Sequence, residues 1–205
     1  MDKIKEIIIG TNNEGKYREI CDLLPNDIKK HSPKEFDILS PAEIGTSFEE
    51  NSFIKASHFS KKINLICLSD DSGLEIDLLK GEPGIYSSRW SGEKNNFDLA
   101  IKKIFEKMNN AKKDWGNDNS AKFICCMTLF WPNGKHYSSQ GTVKGKISKG
   151  KKGKNGFGYD PIFIPNGYNQ TFGEMEFKLK MSIDHRFKAF DKIKKFLILR
   201  YAINL

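Results

Sequence analysis

Hydrophobic and polar positions change their period several times along the chain, and each change predicts an element. Lys3–Ile9 is a β-branched run that ends at Gly10 and predicts a first strand. Lys16–Leu24 predicts a helix that stops at Pro25, and Phe36–Leu39 a short strand. Ser47-x-x-Glu50 is a capping box, opening a second helix expected to reach about Ile63. Leu65–Leu68 is a compact apolar strand that should end in Ser69-Asp70-Asp71-Ser72-Gly73. Asn96–Lys107 predicts a helix with Leu99, Ile101, Ile104, Phe105 and Met108 on its apolar side. Two strands, Ala121–Phe130 and Lys135–Val143, flank Trp131-Pro132-Asn133-Gly134, where Asn-Gly marks a hairpin. A Gly/Lys loop over Gly145–Gly158, a short strand at Ile162–Ile164 and a closing helix over Ser182–Tyr201 complete the chain. Helices and strands alternate first and a hairpin follows, without internal repeats. This predicts an α/β protein with a mixed sheet and flanking helices, a single domain of two lobes around a central cleft.

Composition narrows the class. The chain has 205 residues, of which 38% are hydrophobic and 15 are Phe, enough to build a core. Mean hydropathy is -0.54, and no apolar run approaches the roughly 20 residues of a spanning helix. The apolar stretch near the N-terminus is too short for a signal-peptide core, so the expected location is the cytoplasm. Cys21, Cys67, Cys125 and Cys126 show no CxxC spacing and lie among apolar neighbours, as buried reduced thiols do. The net charge is +8, carried almost entirely by lysine, with only Arg18, Arg89, Arg186 and Arg200 as arginine. Such an excess fits an anionic partner or a lysine-rich solvated surface, and charge alone does not choose.

Several segments carry candidate chemistry. Gly10-Thr11-Asn12-Asn13-Glu14-Gly15-Lys16-Tyr17 nearly spells a P-loop and sits between the first strand and the first helix. Backbone N–H groups at a helix start and the charge of Lys16 suit phosphate. Tyr17 stands where a P-loop needs a small hydroxyl for Mg²⁺, so the alternatives are a phosphate loop of another kind or a polar connection without a ligand. Asp70 and Asp71 follow an apolar strand, where α/β sheets bind ligands. Their carboxylates suit Mg²⁺ or the orientation of a water, or else cap a turn. Glu43 is a freer candidate for a metal contact than the helix-capping Glu50, and Lys55 lies about one turn beyond Glu50. Six lysines from Lys144 to Lys154 crowd one loop without interleaved aromatics, which favours a solvated loop over nucleic-acid binding. Gly156-Phe157-Gly158-Tyr159-Asp160-Pro161 could present a ring to a base and a carboxylate to base N–H groups. His185 and Arg186 offer donors near the start of the last helix.

Taken in order, six stretches resemble the inosine triphosphate pyrophosphatase family, which acts on deaminated purine nucleotides. They are Thr11–Lys16, Ser47–Ala56 (SFEENSFIKA), Ser69–Leu74 (SDDSGL), Gly81–Gly92 (GEPGIYSSRWSG), Gly156–Pro161 (GFGYDP) and Lys180–Arg186. The resemblance implies two lobes around a nucleotide cleft, a homodimer, and Mg²⁺-dependent hydrolysis of ITP, dITP or XTP to the monophosphate and pyrophosphate. It implies neither a membrane nor an obligatory nucleic acid. It assigns Thr11, Asn12, Asn13, Glu14, Gly15 and Lys16 to the triphosphate, with Lys55 helping to hold phosphate. Asp71 would be the general base and a metal ligand, Ser72 would touch substrate, and Glu43 would be the second metal ligand. Phe157, Gly158, Tyr159 and Asp160 would enclose the base, and Lys180, His185 and Arg186 would complete its pocket. His185 and Arg186 would donate towards the 6-keto oxygen, where adenine carries an amino group instead. Two positions depart from many relatives: Asp184 replaces a serine before His185, and Ala42 replaces the first of two paired acids. A negative charge beside His185 would favour its charged form. A pyrophosphatase for modified pyrimidine nucleotides and a nucleic-acid-binding module are the alternatives.

Overall fold

A computed structural model describes residues 4–92 and 96–198, so the expected strand start at Lys3 and helix end at Tyr201 fall outside the described residues. Six strands form one mixed sheet in the order β2-β1-β3-β4-β5-β6. They are β1 (Glu6–Ile9), β2 (Lys29–His31), β3 (Cys67–Ile76), β4 (Ser120–Phe130), β5 (His136–Ile147) and β6 (Phe163–Pro165). β1 runs parallel to β2 and to β3, with Ile7 opposite Lys30 and Ile8 opposite Cys67. β6 runs antiparallel to β5, with Ile164 opposite Lys146. The helices are α1 (Glu14–Leu23), α2 (Phe48–Ile63), α3 (Phe97–Ala111), α4 (Phe177–Ile183), α5 (His185–Ile193) and α6 (Lys195–Ile198).

The chain divides into two compact units. The first comprises residues 4–71, 125–141 and 185–198, and the second residues 72–124 and 142–184. In the first unit the isoleucines of β1 alternate between two covered faces. Ile7 and Ile9 pack with Ile20 of α1, Leu68 of β3 and Phe190 and Ile193 of α5. Ile8 points the other way, onto Ala56 and Phe59 of α2 and Cys67 of β3. A strand buried on both sides needs apolar residues at every position, which is why β1 reads as an unbroken run. The second unit buries Leu74 and Ile76 of β3 against Ile101, Ile104 and Met108 of α3 and Phe123, Val143, Ile147, Phe163 and Phe172.

Several sequence expectations needed correction. Phe36–Leu39 is not a strand. Ser32 caps a 3₁₀ turn over Pro33–Phe36, and Glu35 Oε1 accepts the Ser32 N–H in return. The second strand is instead the polar segment Lys29–His31, whose backbone pairs with β1 although its side chains carry no apolar signal. β3 does not end before the acidic residues but runs ten residues through them. β5 extends to Ile147, into the expected Gly/Lys loop, because Val143, Gly145 and Ile147 face inward while Lys144 and Lys146 face solvent. The closing helix is broken at Asp184, whose extended backbone caps α4 before α5 begins. Leu99 is 58% exposed, since it lies roughly 200° around α3 from the buried Ile101.

α2 obeys its cap. Ser47 Oγ accepts the Glu50 N–H at 3.1 Å, but Glu50 bonds back to Thr46 rather than completing the box on Ser47. The Asn133-Gly134 turn forms as predicted, with Gly134 at φ +90° and the Trp131 N–H donating to the Lys135 carbonyl. All four cysteines are free thiols.

Gly141 in β5 lets α5 dock by its backbone. A Cβ there would overlap the His185 carbonyl and the Ala189 N–H, while Ser139 Oγ donates to the Ala189 carbonyl at 2.8 Å. Gly141→Ala should therefore cost about 3 kcal/mol and lower Tm by about 6–12 °C in a thermal melt. A change under 2 °C would show that α5 is free to shift.

Candidate functional site

The first unit concentrates the charged candidates. Gly10 closes the β1 ladder by donating to the Leu68 carbonyl at 2.8 Å, and Ser69 Oγ donates to the Gly10 carbonyl at 2.8 Å. The chain then turns into α1. Thr11 Oγ1 accepts the Asn13 N–H at 3.2 Å, and Asn13 caps the helix by accepting the Lys16 N–H at 3.0 Å. Asn12 and Glu14 are exposed and reach the next segment, Asn12 to Ser40 at 2.9 Å and Glu14 to Lys34 at 3.3 Å. Gly15 lies within the first turn of α1. The Thr11–Lys16 segment is thus a rigid strand-to-helix turn with a helix start at its centre, a geometry that suits phosphate oxygens.

Because β3 continues through Asp70 and Asp71, its alternation sends the two carboxylates to opposite faces. Asp70 follows the face of Leu68 and meets Lys16 Nζ at 3.4 Å and Arg186 Nη2 at 3.1 Å. Asp71 follows the face of Cys67 and meets Lys55 Nζ of α2 at 3.3 Å, with Lys16 Nζ 4.0 Å away. Neighbours in sequence, they titrate in opposite directions. Burial alone would raise Asp70, but the charges of Lys16, Arg186 and Lys55 outweigh it and hold the carboxyl well below the ordinary carboxylate range. For Asp71 burial wins over Lys55 and Lys16, aided by repulsion from Glu43 and Asp70, so its pKa is raised. Asp71 is therefore the more basic of the pair, as a group that takes a proton from water should be.

Lys55 is buried on α2 and reaches Glu43 Oε1 at 2.5 Å as well as Asp71. Burial opposes its charge, yet Asp71, Glu43 and Asp70 outweigh the penalty and raise its pKa. The ammonium marks a point where a cation sits between two carboxylates. Asp71 Oδ2 and Asp70 Oδ1 are buried oxygens with no hydrogen-bond partner. Among the described residues no three metal-ligating side chains gather. The two carboxylates that bracket Lys55, Glu43 and Asp71 with its spare Oδ2, fit Mg²⁺, which keeps several waters and takes substrate phosphates as further ligands.

Arg186 is 1% exposed on α5. Its Nη1 bonds Glu19 of α1 and its Nη2 bonds Asp70. Each terminal nitrogen thus reaches a carboxylate, and through Nη2 the guanidinium orients Asp70. Sequence reasoning missed Glu19 altogether. It is a charged residue at a helix position flanked by apolar ones, and nothing in its local pattern announces a partner at residue 186. His185 is buried at the first turn of α5.

In the second unit Ser72 lies on β3, half-buried. Asp160 Oδ2 accepts the Phe157 N–H at 2.8 Å and Lys180 Nζ at 2.6 Å. Gly156, at φ +71°, is needed there because a Cβ would collide with that same oxygen. The Lys180 ammonium lies 5.2 Å from the Phe157 ring centroid and 5.7 Å from that of Phe172. Phe157 and Gly158 are half-buried, whereas Tyr159 belongs to the core and donates its hydroxyl to the Ser87 carbonyl at 2.8 Å. Asp160 Oδ2 thus holds the Phe157 turn, and the Tyr159 hydroxyl ties that turn to Ser87. Asp184 is buried at the C-cap of α4.

Arg186→Met should cost about 3–5 kcal/mol in urea unfolding, because it strands two buried carboxylates. Asp70 has a lowered folded pKa, so its stabilisation is full above about pH 4 and is lost as pH falls towards the folded value. The stability difference between wild type and Asp70→Asn should shrink below about pH 4; a gap that stays constant to pH 2 would contradict the ion-pair account.

Comparison with known proteins shows what the chain is similar to. The Ham1 family model matches residues 7–196. A dITP/XTP pyrophosphatase of Oceanobacillus iheyensis is 39% identical over 197 residues, covering 95% of this chain and 98% of the relative. One from Caulobacter vibrioides is 38% identical, covering 92% and 96%. Among solved structures, the Ham1 protein of Staphylococcus aureus superposes with a TM-score of 0.81 at 36% identity, covering 94% of this chain and 98% of that one. A HAM1 protein from Coxiella burnetii gives 0.83 at 35% identity, with the same coverage. With a model match across nearly its whole length and relatives this similar, the chain belongs to the Ham1 family.

Proposed function

We propose that this protein hydrolyses deaminated purine nucleoside triphosphates, dITP and XTP among them, to the monophosphate and pyrophosphate. The observation that carries the reading is the Lys16–Asp70–Asp71–Lys55–Glu43 cluster beside the capped Thr11–Lys16 turn. Such a cluster combines phosphate-binding cations with a carboxylate of raised basicity. The names of the relatives supply the substrate class.

In this mechanism the Thr11–Lys16 turn and Lys55 receive the triphosphate. Asp71, through its unbonded Oδ2, accepts a proton from the water that attacks the α-phosphorus. Asp70, fixed by Arg186, keeps Lys16 in place. The bond between the α-phosphorus and the bridging oxygen breaks, and pyrophosphate leaves against the charges of Lys16 and Lys55. Glu43 and Asp71 would hold a divalent cation, Mg²⁺ in this reading, which when bound supplies positive charge to the phosphate oxygens. Before nucleotide arrives Lys55 occupies that place itself, and phosphate oxygens offer it another partner. On the family resemblance, Phe157, Lys180 and Ser72 would serve the nucleoside part, and His185 would donate to the 6-keto oxygen. Adenine presents a donor there, and two facing donors leave both unpaired, which is the physical basis for rejecting it. The homodimer and the cytoplasmic location belong to the same reading, the first resting on the family resemblance and the second on the short apolar stretch near the N-terminus.

Pyrophosphate release with Mg²⁺ across dITP, XTP, ATP, GTP, dTTP and dUTP tests the reading. Preference for dITP and XTP is expected, and turnover of pyrimidines alone would move the protein to another substrate class. Asp71→Asn should lower kcat by on the order of 10²–10⁴-fold with the fold intact by circular dichroism. His185→Ala should reduce the dITP-over-dATP ratio of kcat/KM by at least about tenfold. An unchanged ratio would reject the base-reading role.

A further inference from the structure

The segment that carries Glu43 is folded back onto the first turns of α2. Glu50 Oε2 takes the Thr46 N–H at 2.6 Å and the Thr46 hydroxyl at 2.9 Å. One residue on, Asn51 Oδ1 takes the Gly45 N–H at 2.9 Å. Asn51 is fully buried, and its Nδ2 has no hydrogen-bond partner among the described residues. A buried amide with half of its capacity unused is a costly way to fill space, and an apolar side chain of the same size would avoid the cost. What Asn51 supplies is the acceptor for Gly45. The approach is close enough to require glycine on the other side. A Cβ at residue 45 would lie 2.7 Å from Asn51 Oδ1 and 2.7 Å from Glu50 Cβ.

The spacing explains what the contact achieves. Asn51 and Lys55 are four residues apart and share one face of α2. Asn51 holds the loop's backbone at Gly45, and Lys55 holds the loop's carboxylate at Glu43, two residues earlier, at 2.5 Å. The Asn51 contact is to the backbone, so it persists when a cation and phosphate compete with Lys55 for the Glu43 carboxylate.

We infer that Asn51 is a positioning residue: by pinning the Gly45 N–H it sets the Glu43 carboxylate opposite Asp71 and so fixes the affinity of that pair for a divalent cation. The inference rests on the reading of Glu43 and Asp71 as metal ligands. It makes no contact with substrate necessary and leaves the chemical step to Asp71.

Asn51→Ala and Asn51→Asp test it, using metal-free, nucleotide-free full-length protein and Mn²⁺ as the probe. In Asn51→Ala, amide hydrogen exchange at Gly45 should speed up at least tenfold. Mn²⁺ affinity read by electron paramagnetic resonance should weaken about tenfold, and the Mg²⁺ concentration for half-maximal rate should rise in parallel while kcat at saturating Mg²⁺ stays within threefold. Asn51→Asp keeps an oxygen for the Gly45 N–H, so its exchange should stay near wild type and its Mn²⁺ affinity should not fall. This variant keeps the test decisive if the alanine variant fails to fold. Unchanged Gly45 exchange in Asn51→Ala would overturn the pin. Faster exchange with unchanged Mn²⁺ affinity would overturn the positioning role and leave Asn51 as packing. Weakened Mn²⁺ affinity in Asn51→Asp would also overturn it. A wild-type protein that binds no Mn²⁺ would sink the metal assignment of Glu43 and Asp71, and with it this inference, a failure distinguishable because it is read on wild type alone.

Discussion

The interior of the first unit is organised around one buried guanidinium. Arg186 joins Glu19 of α1 to Asp70 of β3, and all three are almost completely shielded from water. A carboxylate in that position without a partner would be protonated or expelled, since the desolvation penalty for a lone buried charge is several kcal/mol. Lys16 and Arg186 together keep Asp70 ionised, and an ionised Asp70 gives Lys16 a fixed anchor at the mouth of the phosphate turn. The remaining electrostatics follow from this. Lys16 lies within 4.0 Å of Asp71, and Asp71 is the partner of Lys55, which holds Glu43. A chain of alternating charges thus runs from α5 through β3 to α2.

The alternation of β3 makes that chain work. Adjacent aspartates on a loop would repel each other and share one environment. On a strand they face different helices, so one is surrounded by cations and driven acidic while the other is left more basic by burial. A strand through Asp-Asp runs against local preference, and it is carried by the apolar residues on both sides, Cys67 and Leu68 before it and Leu74 and Ile76 after it.

Elements whose signal is local were legible in the sequence. The Ser47 cap, the Asn133-Gly134 turn and the isoleucine run of β1 all formed where short-range rules put them. The pattern of six motifs pointed to the family, because the order of several weak signals is far more specific than any one. Elements held by distant partners were illegible. β2 is a polar segment defined only by its pairing to β1, and the extension of β3 through the acids depends on packing at both ends. The buried partners of Arg186 were illegible for the same reason. A basic residue near a helix start looks like a surface donor until Glu19 and Asp70 are brought to it, and the supporting tasks of Tyr159 and Asp160 emerge only once Ser87, Phe157 and Lys180 are in place. Asn51 sat inside a recognised motif, yet its bond to the Gly45 backbone leaves no trace in residue type or spacing.

The first unit is built from three separated stretches of the chain, and the last of them brings Arg186, 167 residues after Glu19 and 116 after Asp70. During synthesis, then, α1, β1 and β3 emerge from the ribosome long before the charge that neutralises their interior. A nascent or C-terminally truncated chain carries the phosphate turn and Asp71 but has only Lys16 and Lys55 to offset the charge of Asp70. Such contacts of long sequence separation delay completion to the end of translation. The charge balance inside the first unit is therefore complete only once the last of its three stretches has been made.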